Sequence, residues 1–293
     1  MYRIKGKNKV TRWLILLFLL SIIFDGVFRK WFLVPFSTQL MMVKEIIAIL
    51  ICLVNISSIS KMRLWEKSFI CIGFIAFLTT MAFGHQNLTV AIYGCLPFWF
   101  GLTVCNIIGR KSQVVDLLIY IRIIIFSSII NSLLMMIQFT LSPSHILNYR
   151  GGEVDSRIAD VNVAELSGMF RPAGLFLHSS QSNLFMLLSL VLILYCLFIN
   201  RNILSKKYLI TALILEIFAC VCSASRTCIM LHIGTFVVFV LFCVDSHNKM
   251  KILKRLCLLF PIMFLLILTP IGNKAINNLK NRFTEASQVQ SGN

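Results

Sequence analysis

Charge is what this chain has least of. Asp, Glu, Lys and Arg make up 13% of its 293 residues, and soluble domains carry about twice that share. Acids are the scarcer half, 11 against 28 bases. A soluble core is therefore excluded, and the mean hydropathy of +0.86 points to lipid. Segments of about ten residues with alternating hydrophobicity are missing, which excludes a membrane barrel. There is no phosphate-binding Gly loop, no zinc constellation and no serine-nucleophile elbow, so nothing supports a nucleotide enzyme. No small-residue cleavage site follows the basic start (Arg3, Lys5, Lys7, Lys9 and Arg12), and the first apolar run reads as an uncleaved signal anchor. The ten cysteines, Cys52 to Cys257, all fall in or at the ends of apolar runs. No pair shows zinc-site spacing with a histidine, and Cys220 and Cys222 point to different faces of one helix. They read as small apolar helix residues.

Long apolar runs are what the chain does have. Hydrophobic residues make up 58% of it, in runs of about 15 to 28 residues, the length that crosses a hydrocarbon core of about 30 Å as a helix. The expected fold is all-α, a single polytopic membrane domain over 1–293 with about nine transmembrane helices. Their expected positions are 10–29, 38–56, 68–83, 88–108, 114–141, 182–199, 208–222, 227–244 and 256–271. Pro97 should kink the fourth helix. The apolar stretch 208–244 would be about 55 Å long as one helix, so it must break, and Ser223-Ala224-Ser225-Arg226 is the place. A long loop spans 142–181, and a polar tail spans 273–293.

The net charge of +17 does not point to nucleic acid, because the bases are sorted by side. With a cytoplasmic N-terminus, the inner segments hold 17 bases. The outer ones hold nine: Arg29, Lys30, Arg150, Arg157, Arg171, Arg226, Lys274, Lys280 and Arg282. Positive-inside is obeyed at every inner loop, and the long loop and the tail face outward. Lys44, Glu45 and Arg122 fall within apolar runs, where charge faces a bundle interior or a wet cavity. Glu216 is the expected partner of Arg122. Asp25 and Arg29, at i and i+4, are expected to pair at the membrane surface, with Trp31 and Phe32 as interfacial anchors.

Arginine predominates among the outer bases. Its rigid donor fork suits phosphate, whereas lysine is a flexible point charge. Arg171 precedes Pro172 before a membrane helix, and Arg226 opens another, where free amides and the helix dipole favour an anion. Arg150, Arg157, Arg171 and Arg226 are therefore candidate ligands for a pyrophosphate whose lipid tail stays in the bilayer. The other reading is that Arg150 and Arg157 pair with Glu153, Asp155, Asp160 and Glu165 and only fold the loop. His178, seven residues after Arg171, is either an acid–base catalytic group or a cap on the sixth helix.

Arg171-Pro172-x-Gly174-x-Phe176 before a membrane helix, followed by Ser225-Arg226 between two apolar helices, resembles the bacterial O-antigen ligase and O-antigen polymerase superfamily. Asp25-Gly26 with Arg29-Lys30-Trp31 and Pro35 is similar to the N-terminal segment of exopolysaccharide polymerases in that group. The resemblance runs from about residue 10 to residue 290 and favours polymerase over ligase. It implies a multi-pass protein of the bacterial cytoplasmic (inner) membrane that transfers a glycan from undecaprenyl pyrophosphate to a sugar hydroxyl. Transfer would take place at the outer face with inversion, without metal or cofactor, and with polysaccharide-assembly proteins as further partners. Arg171 and Arg226 match the motif arginines. Members of the family continue past the helix matching the ninth into a large outer loop with a functional histidine and further helices. This chain stops at Asn293, so the expectation is a truncated or shorter relative.

Two other readings stand beside that one. A transporter or flippase for a lipid-linked or anionic solute would show two related halves with interrupted helices, and no such halves are found. An inactive truncated remnant is the other. The sugars and the linkage are not legible.

Overall fold

The computed structural model describes residues 6–84, 87–142, 145–148, 163–164, 169–199, 203–223, 225–243, 272–274, 276–277 and 280. Ten α-helices span most of them. They are α1 Gly6–Val27, α2 Ser37–Val54, the single turn α3 Ile56–Ile59, α4 Leu64–Phe83, α5 Leu88–Leu96, α6 Leu102–Lys111, α7 Val114–Thr140, α8 Ser179–Phe198, α9 Lys206–Cys222 and α10 Arg226–Cys243. The fold is an all-α, multi-pass membrane helix bundle. Among the described residues the one piece of sheet is an antiparallel ladder of two residues a side, β1 Val163–Ala164 with β2 Met169–Phe170.

Among the described residues, six segments are long and apolar enough to cross a membrane: Lys9–Phe32, Glu66–Phe83, Leu88–Lys111, Val114–Thr140, Ser179–Phe198 and Arg226–Cys243. The sequence led to about nine. The seventh of those forms as α9, but its 17 residues give only about 26 Å of helix. The second forms as α2, with Lys44 and Glu45 half-buried near its middle. The ninth, 256–271, and most of the polar tail lie outside the described residues.

Two local irregularities lengthen the helices. A π-turn, Phe28–Phe32, carries α1 onward before Leu33 ends it. At Pro97, where a kink was expected, a second π-turn, Pro97–Gly101, joins α5 to α6. Proline has no N–H to donate and its ring crowds the preceding turn, so the ladder re-registers there. Asn87 caps α5, accepting from the amides of Thr89 at 2.9 Å and Val90 at 3.4 Å.

The chain divides into two compact units. The first takes in 1–23 and 38–120. Ile15, Ile47, Ala48, Ile51, Cys52, Val104, Ile107 and Tyr120 form its core, drawn from α1, α2, α6 and the start of α7. Thr11 donates to Asn55 at 3.2 Å. Two arginine clasps lie at helix ends: Arg12 to Asp116 at 2.6 Å and Arg110 to Glu66 at 2.6 Å. Arg110 also donates to the Lys61 carbonyl at 2.8 Å. Both acids are buried, so these pairs satisfy charge that would otherwise be costly near lipid.

The second unit takes in 24–37 and 121–293, and the sequence motifs singled out above fall within it. Its helices are the longer part of α7 with α8, α9 and α10; α9 and α10 each pack chiefly on α8. Arg122 does not meet Glu216 as expected. Its Nε donates to the Ile203 carbonyl at 3.3 Å, and Glu216 is taken by other partners. A backbone carbonyl at a helix end is a cheaper partner for a guanidinium than a second desolvated charge.

Candidate functional site

Residues 171–178 are the irregular heart of the second unit. They are not helical, yet Pro172 to Leu177 are all buried. Non-helical backbone at such depth must find hydrogen bonds inside the protein, and α7 supplies them. Asn131 and Gln138 are seven residues apart, two helical turns, so they share a face. Gln138 Oε1 accepts from the Gly174 amide at 2.8 Å, and Asn131 Oδ1 accepts from the Leu175 amide at 2.9 Å. Gln138 Nε2 donates to the Leu147 carbonyl at 2.9 Å, and Asn131 Nδ2 donates to Ser182 Oγ at 2.9 Å. Both amides are fully buried, and each works as donor and acceptor at once.

Two glycines make this packing possible. Gly174 has φ of +58°, a region that side chains with a Cβ avoid, and a Cβ there would run into Asn131 Oδ1. A Cβ on Gly26 would run into the backbone of Leu175, Phe176 and Leu177. The segment after Arg171 therefore lies directly on the last turn of α1. The two motifs that carry the resemblance, far apart in sequence, are neighbours here.

The Asp25 to Pro35 stretch is built around buried charge. Arg29 bridges Asp25 at 3.2 Å and donates from Nε to Ser37 Oγ at 3.2 Å, so the expected i,i+4 pair forms. The π-turn also buries Lys30, whose Nζ lies 5.7 Å from the centre of the Trp31 ring. Trp31 donates to the Ile146 carbonyl at 3.2 Å, tying this stretch to the chain just past α7. Phe32 is exposed, as an interfacial anchor requires.

Arg171 is half-buried at the head of the irregular segment. Its Nε is shut off from solvent and makes no hydrogen bond among the described residues. Arg226 is exposed at the first position of α10, after the break at 223–225 that the sequence required. Ser225 Oγ accepts from the Cys228 amide at 3.3 Å, capping that helix. His178 occupies the N-cap of α8, and its amide donates to Gln181 Oε1 at 3.4 Å. Helix α8 thus starts three residues earlier than the sequence suggested. Arg150 and Arg157 lie outside the described residues. The contacts run from Gly174 and Leu175 through Asn131 and Ser182 to Met135. Met135 packs with Met186 against Cys220 and Cys228, two residues past Arg226.

One cluster of buried titratable side chains was not legible in the sequence. Glu216 is fully buried and accepts from Ser189 Oγ at 2.8 Å. Its other oxygen faces His232 Nε2 at 3.8 Å. Cys220 Sγ lies 3.3 Å from Cys228 Sγ, and Cys228 Sγ lies 3.6 Å from His232 Nδ1. The cysteines read as inert in sequence, and Cys222 is so, packed with Phe139 and Phe218. The available signal was Cys228 and His232 at i and i+4, one helix face. Cys220 joins them only because α9 ends at Cys222 and α10 starts at Arg226, which brings the two helices side by side on α8.

Protein-family models, curated proteins and solved structures were compared with this chain, and none of them matches it.

Proposed function

We propose that this chain is a membrane glycosyltransferase of the polysaccharide-polymerase kind. It takes a glycan from undecaprenyl pyrophosphate and joins it to a sugar hydroxyl at the outer face of the bacterial cytoplasmic membrane. The single observation that carries the reading is the Arg171 segment. It is a buried irregular backbone, fixed by Asn131, Gln138, Gly174 and Gly26, with an arginine Nε at its head that makes no hydrogen bond among the described residues. Unwound backbone inside a membrane bundle is tolerated where it is buried in protein or lines a wet cavity. Buried arginine donors suit a pyrophosphate.

In the proposed reaction the acceptor hydroxyl oxygen attacks the anomeric carbon of the donor glycan. The bond from that carbon to the phosphate oxygen breaks, its electron pair leaves with undecaprenyl pyrophosphate, and the anomeric centre inverts. Arg171 meets the charge that develops on the pyrophosphate, and Arg226 does so from the N-terminus of α10. His178 accepts the hydroxyl proton. Polymerase is favoured over ligase by the likeness of the Asp25 to Pro35 stretch to the N-terminal segment of exopolysaccharide polymerases.

A cell-based assay tests this. Arg171→Ala and Arg226→Ala should each abolish surface polymer in a strain that depends on this chain, while immunoblots show normal insertion. Polymer at wild-type levels from either variant would sink the proposal. A flippase reading draws on the same unwound segment, and it predicts lipid-linked glycan crossing the membrane without any lengthening.

A further inference from the structure

The cluster at the α9–α10 turn supports an inference independent of glycan transfer. Cys220, Cys228 and His232 are all buried, and one ligand atom from each lies within 4.8 Å of the others. A zinc ion holding sulfur at about 2.3 Å and imidazole nitrogen at about 2.0–2.1 Å in a tetrahedron keeps such ligand atoms about 3.5–3.8 Å apart. The observed 3.3 Å between the sulfurs and 3.6 Å from Cys228 Sγ to His232 Nδ1 are already close to that arrangement. Glu216 stands where a supporting carboxylate belongs. It is fully buried, its Oε1 and His232 Nε2 are both shut off from solvent without a hydrogen bond among the described residues, and the two are 3.8 Å apart. A carboxylate behind the outer nitrogen of a ligating histidine is the usual second shell of a metal site.

We propose that Cys220, Cys228 and His232 bind one divalent thiophilic cation of the zinc type, with Glu216 orienting the histidine. Charge selects the divalent ion. Two thiolates and a neutral imidazole around a dication sum to zero, so Glu216 is the one further charge to hold among apolar neighbours such as Met135, Met186 and Ala219. A monovalent ion would add another buried negative charge to that of Glu216. Binding releases two protons, one from each thiol. The single imidazole proton, on Nδ1 where that atom donates to the Cys228 carbonyl at 2.8 Å, shifts to Nε2, facing Glu216, and so frees Nδ1 for the metal. The ion ties α9 to α10 across a turn where the two helices otherwise touch little, and so holds the N-terminus of α10, with Arg226, in place. The site is a structural clip.

The test uses the full chain purified in detergent under reducing, metal-free conditions and titrated with Co²⁺. The expected result is a thiolate-to-cobalt charge-transfer absorption that saturates near one ion per chain and is erased by Zn²⁺. Cys220→Ser, Cys228→Ser and His232→Gln should abolish it, and Cys222→Ser and Cys196→Ser should keep it. Glu216→Gln, which preserves shape, should weaken binding about 10- to 100-fold. No absorption in the wild-type chain overturns the proposal, and so does an absorption that survives Cys228→Ser. A Cys220–Cys228 disulfide found by mass spectrometry in protein isolated without reductant also overturns it. Stoichiometric Cu⁺ with no uptake of Co²⁺ or Zn²⁺ overturns the choice of a divalent ion.

Discussion

Asn131 and Gln138 show how single residues set the site. In the sequence they are two polar residues in an apolar helix, legible as inward-facing but not as partners of anything. Their role becomes visible only when α7 lies beside residues 171–178, because the hydrogen bonds of irregular backbone leave no periodic trace. Each forms buried bonds that no water can replace. Asn131→Ala or Gln138→Ala should therefore cost about 1–3 kcal/mol apiece from the stranded backbone groups, read as a lower unfolding temperature of the purified chain. Gly174→Ala should cost at least as much, since it adds about 1–2 kcal/mol of left-handed strain to a collision with Asn131. Unchanged melting in all three variants would mean the segment is not held as described. His178 separates cap from catalyst. Asparagine caps a helix well, so His178→Asn should insert and melt normally yet lose turnover, and retained turnover would leave His178 as a cap alone.

Among the elements, the charge pair at the end of α1 was well read and the π-turn that follows it was not. The Asp25–Arg29 pair follows from i,i+4 spacing on a helix. The π-turn that buries Arg29 and Lys30 does not, because it depends on Ser37 and Trp31 finding partners beyond their own helix. With the side chains only 8% and 10% exposed, removing one charge strands the other. Asp25→Asn should destabilise the chain by about 3–5 kcal/mol, the cost of breaking a buried pair. The double change Asp25→Asn with Arg29→Met should recover part of that loss, and a double variant no more stable than the single would contradict the pairing. The irregularity at Pro97 and the break between α9 and α10 were legible for plain reasons. Proline disturbs a helix ladder, and 37 apolar residues exceed one bilayer. The Arg122–Glu216 pair failed because depth along two helices says nothing about which faces meet.

At the scale of the whole molecule, hydropathy carried the class, an all-α multi-pass membrane bundle, but not the number of spans. Helix α9 is short, α2 carries two charges, and 256–271 lies outside the described residues. We propose from the sorting of bases that 142–181 faces the outer side and the Lys61–Arg63 and Arg110–Lys111 segments the inner side. A membrane-impermeant maleimide applied to intact cells checks it. Ser142→Cys should label and Ser112→Cys should not, and the reverse pattern would invert the topology and remove the site from the outer face. The most direct test of the central claim is turnover by the purified chain in liposomes with an undecaprenyl-pyrophosphate-linked oligosaccharide, comparing wild type with Arg171→Lys. The account predicts longer glycan chains and free undecaprenyl pyrophosphate from the wild type, and about a 10²-fold slower rate with lysine, the scale of losing one aimed donor. No lengthening by the wild-type chain, or full activity with lysine at 171, would contradict it.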